Sequence, residues 1–190
     1  MKKLLFVDSC ITNKQESRTK KLCEAYLEKY CAEQTEEINI EKVVLADRII
    51  LPITAEKLSE RDKLISMGHL DHPMFELARK FAEADYIVIG APYWDLSFPA
   101  LLKVYIGNIM VNTLTFRYGD HGQEGLCKAE KLVYITTAGG YIGEKNHGYY
   151  YIRDIANTLG IKDTEFISAE GLDIAENDAD VILQEVIDKL

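Results

Sequence analysis

The chain has 190 residues, 47% of them hydrophobic, and a net charge of −9 from 22 basic and 31 acidic residues. This length and apolar content predict one globular domain over residues 1–190, large enough to bury its own core. The acidic balance disfavours a nucleic acid or an anionic membrane as the main partner, although a locally positive phosphate site is compatible with it.

Cysteine spacing and the amino terminus favour a reduced, cytoplasmic protein. The four cysteines form no C-x-x-C pair and no zinc-ligand pattern, so neither a metal site nor a dithiol couple is indicated. The apolar run after Lys2 and Lys3 is broken at Asp8, which is too early for a signal peptide. No apolar stretch approaches the roughly 20 residues of a transmembrane helix, so we expect no membrane partner.

Segments rich in β-branched residues alternate with segments of helical period along the chain. This alternation predicts an α/β fold, a doubly wound five-stranded parallel sheet with helices on both faces. The predicted strands are Lys3–Asp8, Ile38–Val44, Asp85–Ala91, Lys131–Thr137 and Asp163–Ala169. The predicted helices include Ala55–Ser66, Met74–Glu83 and apolar stripes around Leu22–Tyr30, Leu101–Met110, Tyr149–Leu159 and Ala179–Leu190. The turn-rich stretch Tyr118–Gly125 is either a tolerated insertion or a functional surface.

The loop after the first strand opens directly into a helix. Hydroxyl groups of Ser9, Ser17 and Thr19, the unpaired N–H groups of the helix start and the charge of Arg18 are together suited to hold a phosphate. The alternative is that Ser17 is only a helix N-cap. The glycines of a dinucleotide fingerprint or of a nucleotide-triphosphatase loop are missing, which leaves the terminal phosphate of a mononucleotide.

The loop after the third strand, Gly90–Pro99, carries two aromatic rings between two prolines. Pro92 and Pro99 stiffen it, and a stiff loop that presents Tyr93 and Trp94 suits a flat ligand, of which a flavin is the leading candidate. Backbone N–H groups of Trp94, Asp95 or Leu96 could then reach the ring's heteroatoms. The alternative is an aromatic plug at the end of the sheet.

A third loop, Thr136–Tyr141, follows the fourth strand and contains Gly139 and Gly140. Glycine permits close approach of the backbone to a ligand, although a plain turn would also explain the pair. The three loops gain significance together, because a doubly wound sheet brings the loops after strands one, three and four to one edge.

Four blocks of the sequence resemble a known family. They are APYWDLSFPALLKVYI from Ala91, TFRYGDHGQEGL from Thr115, TTAGG at Thr136–Gly140 and SAEG at Ser168–Gly171. Together they are similar to the flavodoxin-like NAD(P)H:quinone oxidoreductases and FMN-dependent NADH-azoreductases, most closely to the azoreductase branch. The resemblance covers nearly the whole chain.

The resemblance implies a homodimer with two FMN sites and a strand order of 2-1-3-4-5. The cofactor residues it implies are Ser9, Ser17, Arg18 and Thr19 at the phosphate, Pro92, Tyr93, Trp94, Asp95 and Leu96 beside the isoalloxazine, and Thr137, Ala138, Gly139 and Gly140 near its pyrimidine end. Tyr118 would wall the substrate site of the neighbouring subunit, whereas Phe116 is expected to anchor that loop in the dimer interface.

The implied reaction is ping-pong hydride transfer from NAD(P)H through FMN to a quinone, an azo compound or a nitroaromatic. His147 could protonate the reduced acceptor, or it could simply be a histidine at a helix start. Asp95 stands where an amide is common in the family, so we expect its carboxylate to lower the flavin's potential. The alternatives are a flavodoxin-type electron carrier and a binding or regulatory relative without FMN.

Overall fold

The computed structural model describes residues 1–11 and 17–190 of the chain. Its strands are β1 (Lys2–Asp8), β2 (Ile38–Val44), β3 (Tyr86–Gly90), β4 (Phe116–Gly119), β5 (Gly122–Gly125), β6 (Lys131–Thr137) and β7 (Asp163–Ala169). Five of them form a parallel sheet in the order β2-β1-β3-β6-β7, while β4 and β5 form a separate antiparallel hairpin. All five predicted parallel strands are therefore present, and none of their ends differs from the prediction by more than one residue.

The described residues include six α-helices. They are α1 (Arg18–Glu33), α2 (Ala55–Ser66), α3 (Glu76–Glu83), α4 (Ala100–Ile109), α5 (His147–Thr158) and α6 (Ala179–Asp188). The prediction of one helix over Met74–Glu83 is wrong at its start, because Pro73–Phe75 form a 3₁₀ turn before α3 begins. In that turn, the Met74 N–H donates to Nδ1 of His72 at 3.2 Å, which stabilises the tighter geometry.

Alternate residues of the strands enter two separate hydrophobic cores. In β1, Leu5 and Val7 point into a core formed with α3, α4 and α5, whereas Leu4 and Phe6 point into a core formed with α1 and α6. This period of two is what a strand requires when both of its faces are buried. The sheet is thereby fixed from both sides, and its carboxyl edge becomes a rigid platform for the loops.

The turn-rich excursion is the β4–β5 hairpin, and its base is packed tightly against the end of α5. The Cys127 N–H donates to the Leu159 carbonyl at 3.1 Å. Gly125 lies so close to the backbone of Leu159 and Gly160 that a side chain there would collide with both residues. Gly160 itself has a φ of +100°, which glycine adopts readily after a helix end.

Among residues 1–11 and 17–190, no helix combines the length and the apolar composition needed to cross a membrane.

Gly125→Ala tests whether this contact holds the hairpin in place. Because the added methyl group meets backbone atoms that cannot rotate away, we expect a loss of about 1–3 kcal/mol in the free energy of unfolding. Gly107→Ala is the control, since Gly107 lies in α4 with open space at the same position. This control should be neutral or stabilising. Equal urea midpoints for the two variants would show that the close approach is unimportant.

Candidate functional site

A cleft of about 810 Å³ opens at the carboxyl end of the parallel sheet. It lies where β1, β3 and β6 end, and all three loops singled out in the sequence contribute to its walls. The lining residues are Cys10, Ile11, Ser17, Arg18, Thr19, Pro92, Tyr93, Trp94, Thr137, Ala138, Gly139, Leu172 and Asp173. Nine of these were predicted, and four were not: Cys10, Ile11, Leu172 and Asp173.

Hydrogen bonds between neighbouring strands continue beyond the strand ends and set the loops side by side. The Ser9 N–H donates to the Gly90 carbonyl at 2.8 Å, and the Tyr93 N–H donates to the Thr137 carbonyl at 2.9 Å. On the far side, the Ala138 N–H donates to the Ala169 carbonyl, also at 2.9 Å. Each loop therefore begins at a position dictated by its neighbour in the sheet.

The predicted phosphate loop is described at its two ends only, because Thr12–Glu16 lie outside the described residues. At its far end, Ser17 is the N-cap of α1, and its hydroxyl accepts the Lys20 N–H at 3.3 Å. At its near end, Ser9 is fully buried, and its Oγ has no hydrogen-bond partner within the described part of the chain. Such a buried polar atom calls for a partner from outside the described protein atoms.

Asp8 and Cys10 flank Ser9 at the near end of this loop. One carboxylate oxygen of Asp8 accepts the Cys10 N–H at 3.0 Å, and the other lies 3.3 Å from Nζ of Lys42. Burial and the neighbouring Asp8 carboxylate raise the pKa of the Cys10 thiol to about 12. Cys10 thus faces the cleft as a neutral thiol rather than as a nucleophilic thiolate.

A hydrogen bond between two threonine side chains joins the first wall to the third. Oγ1 of Thr19, in the first turn of α1, lies 2.6 Å from Oγ1 of Thr137 at the end of β6. Both side chains are buried. The two residues predicted to bind a cofactor separately therefore also bind each other, which fixes α1 against the sheet.

The aromatic wall is held in a defined conformation. The hydroxyl group of Tyr93 donates to the Lys145 carbonyl at 2.9 Å, whereas Trp94 is 45% exposed at the cleft. Trp94 and Ser97 pair through both backbone hydrogen bonds and close a tight turn. Asp95 and Leu96 occupy its centre with φ values of 51° and 63°. Left-handed geometry is unfavourable for leucine, so this loop holds strain beside the cleft.

The turn directs the Asp95 and Leu96 side chains to solvent, and neither residue is among those that line the cleft. The aromatic plug considered as an alternative is also not what the structure has, since Trp94 is half-exposed rather than buried.

The glycine loop pairs with the segment that follows β7. The Leu172 N–H donates to the Ala138 carbonyl at 3.1 Å, and the Asp173 N–H donates to the Gly139 carbonyl at 2.9 Å. Gly139 has no space for a side chain, because the Asp173 carboxylate occupies it. Gly140, in contrast, has open space around its α-carbon. Close approach at Gly139 is thus made by Asp173, while Gly140 leaves the edge of the loop open.

Tyr118 and His147 lie away from the lining of the cleft. Tyr118 is 72% exposed near the tip of the hairpin, with its ring edge-on to Phe116 at a centroid distance of 5.8 Å. His147 is the exposed first residue of α5, and Asn146 caps that helix by accepting the Tyr149 N–H. The bond from the Tyr93 hydroxyl to the Lys145 carbonyl connects the segment before α5 to the aromatic wall of the cleft. Over residues 1–11 and 17–190, no three His, Cys, Asp or Glu side chains converge as a metal site would require.

The sequence reasoning missed Leu172 and Asp173 although a signal for them was present. The SAEG block ends at Gly171, and Gly171 has a φ of +74°, the mark of a turn that redirects the chain. Reading that glycine as a turn back towards the sheet edge would have placed the next two residues beside the third loop.

Comparison with known proteins places this architecture in a class. A family model described as "Flavodoxin-like fold" matches residues 2–190. A crystal structure of an FMN-dependent NADH-azoreductase from Bacillus anthracis in complex with FMN superposes with a TM-score of 0.84 at 24% identity, covering 100% of this chain and 95% of that one. An azoreductase structure from the same species reaches a TM-score of 0.86 at 22% identity. The chain therefore has a flavodoxin-like fold.

Sequence relatives narrow the class. FMN-dependent NADH:quinone oxidoreductase 2 of Clostridium acetobutylicum is 36% identical over 194 residues, which covers 100% of this chain and 96% of that protein. The FMN-dependent NADH:quinone oxidoreductase of Clostridium beijerinckii is 34% identical with the same coverage. This chain belongs to the flavodoxin-like family of FMN-dependent NADH:quinone oxidoreductases. The resemblance seen in the sequence is confirmed.

Thr137→Val tests the link between the first and third walls. The substitution leaves Oγ1 of Thr19 buried without its partner, so we expect a loss of about 1–3 kcal/mol in the free energy of unfolding. The double variant with Thr19→Val should lose less than the sum of the single effects. Thr136→Val is the matched control, because Oγ1 of Thr136 is buried without a hydrogen-bond partner in the described chain. Its removal should not lower the free energy of unfolding. Strict additivity in denaturant unfolding would contradict the coupling.

Proposed function

We propose that the cleft binds FMN and that the protein reduces a quinone, an azo compound or a similar flat acceptor at the expense of NADH or NADPH. The observation that carries this proposal is the convergence of a helix N-terminus, a fixed aromatic wall and an open glycine loop on one cleft. The family supports it, since its named members are FMN-dependent and act on NADH and quinones.

The described residues fit an FMN. The cleft volume of about 810 Å³ lies within the range of about 300–1,000 Å³ that small-molecule sites usually have. A phosphate would find donors and positive charge in the N-terminus of α1, in Arg18 and in the Ser9 hydroxyl, which has no hydrogen-bond partner among the described residues. Tyr93 and Trp94 supply the flat surface that a ring system needs.

Each wall would hold one part of the cofactor. Ser9, Ser17, Arg18 and Thr19 would hold the phosphate group. Pro92, Tyr93 and Trp94, together with the turn at Asp95 and Leu96, would flank the isoalloxazine. Thr137, Ala138, Gly139 and Gly140 would approach its pyrimidine end, where the open edge at Gly140 admits a backbone contact. The chemistry that FMN supplies when bound is acceptance of a hydride from the nicotinamide and its delivery to the acceptor.

The residues of this chain then have three tasks. They must leave one face of the ring accessible, stack a flat molecule there and keep the ring from moving. The half-exposed Trp94 suits stacking, and the bond from Tyr93 to the Lys145 carbonyl keeps the aromatic wall rigid. A single shared face requires the nicotinamide to leave before the acceptor enters, so we propose ping-pong order. His147 is exposed two residues after Lys145, whose carbonyl accepts the Tyr93 hydroxyl, and it is our proposed proton donor to the reduced acceptor.

The functional unit that we propose is a homodimer. Tyr118 of the hairpin is 72% exposed to solvent. An exposed aromatic ring is suited to an interaction surface, and in our proposal it lines the substrate site of the second subunit. Phe116 lies under Tyr118 and would anchor the hairpin in that interface.

We also propose a single doubly wound domain with the flavodoxin order 2-1-3-4-5, which is supported by the parallel sheet when the hairpin strands are left out of the count. Free cysteines support a cytoplasmic location.

The proposed function is tested with the purified protein and added FMN. We expect about one FMN bound per chain, bleaching of its absorbance by NADH or NADPH without oxygen, and recovery of the absorbance on addition of a quinone. Initial rates at several acceptor concentrations should give parallel lines in double-reciprocal plots. Turnover only with a separate reductase would identify an electron carrier instead. A protein that stays colourless after FMN addition would be a binding or regulatory relative.

Asp95→Asn tests whether this turn tunes the bound flavin. Removal of one negative charge near the ring should raise the two-electron potential, and because the side chain is exposed the change should be about 10–30 mV. Asparagine also tolerates the left-handed backbone, so the turn should persist. Asp163→Asn, at the opposite end of the sheet, is the control for a change in net charge alone. An unchanged or lower potential in Asp95→Asn, measured by equilibrium photoreduction, would refute the tuning.

A further inference from the structure

An ion pair spans the cleft at its phosphate side. Nη1 of Arg18, the first residue of α1, lies 2.7 Å from Oδ1 of Asp173 and 3.2 Å from the Leu172 carbonyl oxygen. Arg18 and Asp173 both line the cleft, and they come from different segments, the start of α1 and the loop after β7. The positive charge that a phosphate would seek is therefore already matched by a carboxylate of the protein.

Asp173 is held in this position by its own backbone and by its packing. Its N–H donates to the Gly139 carbonyl at 2.9 Å, and its carboxylate fills the space where a side chain of residue 139 would stand. The backbone bond fixes the α-carbon of Asp173 beside Gly139, so its short side chain starts within reach of Arg18.

Arg18 also borders a second cavity, beside the cleft. On its other side, Arg18 borders a hollow of about 490 Å³ that is also lined by Lys20, Lys21, Glu24 and Asp180. Lys20 lies 3.9 Å from Glu24, which partly offsets its charge. Contact with Asp173 instead aims the guanidinium across the cleft, in front of the N-terminus of α1.

We propose that Asp173 lowers the preference of the cleft for a phosphorylated flavin over an unphosphorylated one. Its carboxylate offsets the charge of Arg18, which lines the same cleft. A phosphate dianion must share or displace the carboxylate, whereas riboflavin, which lacks the phosphate, does not encounter this competition. This inference rests on the proposed function, since it presupposes that the cleft binds a flavin.

The solvent exposure of Arg18 and Asp173 limits the expected change in FMN affinity. The side chains of Arg18 and Asp173 are 45% and 70% exposed, so solvent and salt screen their interaction. A surface pair of this kind changes affinities by modest factors. We therefore expect Asp173→Asn, which keeps the shape of the side chain beside Gly139, to bind FMN about three- to tenfold more tightly at low salt.

The experiment titrates wild-type and Asp173→Asn protein with FMN and with riboflavin, following the quenching of flavin fluorescence at low and at high salt. We expect a tighter Kd for FMN only, a Kd for riboflavin within about twofold, and a smaller gain at high salt. Asp180→Asn is the matched control: it removes the same charge beside Arg18 but not from the pair, and its FMN affinity should stay within about twofold of wild type. In an Arg18→Gln background, Asp173→Asn should have no further effect.

The outcomes separate this inference from the function on which it rests. Equal changes for FMN and riboflavin, or weaker FMN binding in Asp173→Asn, would overturn the role of Asp173 while leaving the flavin site intact. A gain that persists in the Arg18→Gln background would overturn the route through Arg18. Failure of every variant and of the wild type to bind either flavin would overturn both proposals.

Discussion

The site depends on one constraint, the continuation of the parallel hydrogen-bond ladder past the last residues of the strands. Asp8 and Gly90, the last residues of β1 and β3, pair with each other, and Gly90 also pairs with Ile135, two residues before the end of β6. The ladder then extends into the loops through the Ser9 and Tyr93 N–H groups. A parallel sheet offers unpaired groups at its carboxyl edge, and here they are used to place loops rather than left to solvent. Without this register the three walls would not face one cleft.

Side-chain contacts make the cleft rigid and set its charge. The hydrogen bond between Thr19 and Thr137 joins α1 to β6. The Asp8 carboxylate accepts the Cys10 N–H and forms an ion pair with Lys42. In a chain with a net charge of −9, the proposed phosphate site needs a local source of positive charge, and the N–H groups at the start of α1 together with Arg18 supply it. In our proposal, Asp173 offsets part of that charge. The electrostatics of the cleft thus result from an arginine and a carboxylate that the fold brings together across 155 residues of sequence.

Local patterns made most of the fold and much of the site predictable from sequence. The strands are short runs rich in β-branched or other apolar residues. The Ser17 cap and the prolines of the aromatic loop affect only residues close to them in sequence. What escaped prediction is of two kinds: local turns that no characteristic residue signals, and contacts between residues distant in sequence. The turn at Asp95 and Leu96 has left-handed residues that are not glycines, so no glycine signals it. The 3₁₀ turn at Pro73 depends on a histidine side chain, and Asp173 reaches the cleft only because β7 lies beside β6.

The central claim is that three separate loops bind one flavin together, and hydrogen–deuterium exchange with and without added FMN tests it most directly. Amide exchange reports the opening of each backbone segment individually. We predict that FMN slows exchange at once in peptides covering the loop after β1, the loop at 90–97 and the loop at 137–142, with little change at the opposite end of the sheet. Protection confined to one loop, or located away from the carboxyl edge, would contradict the account.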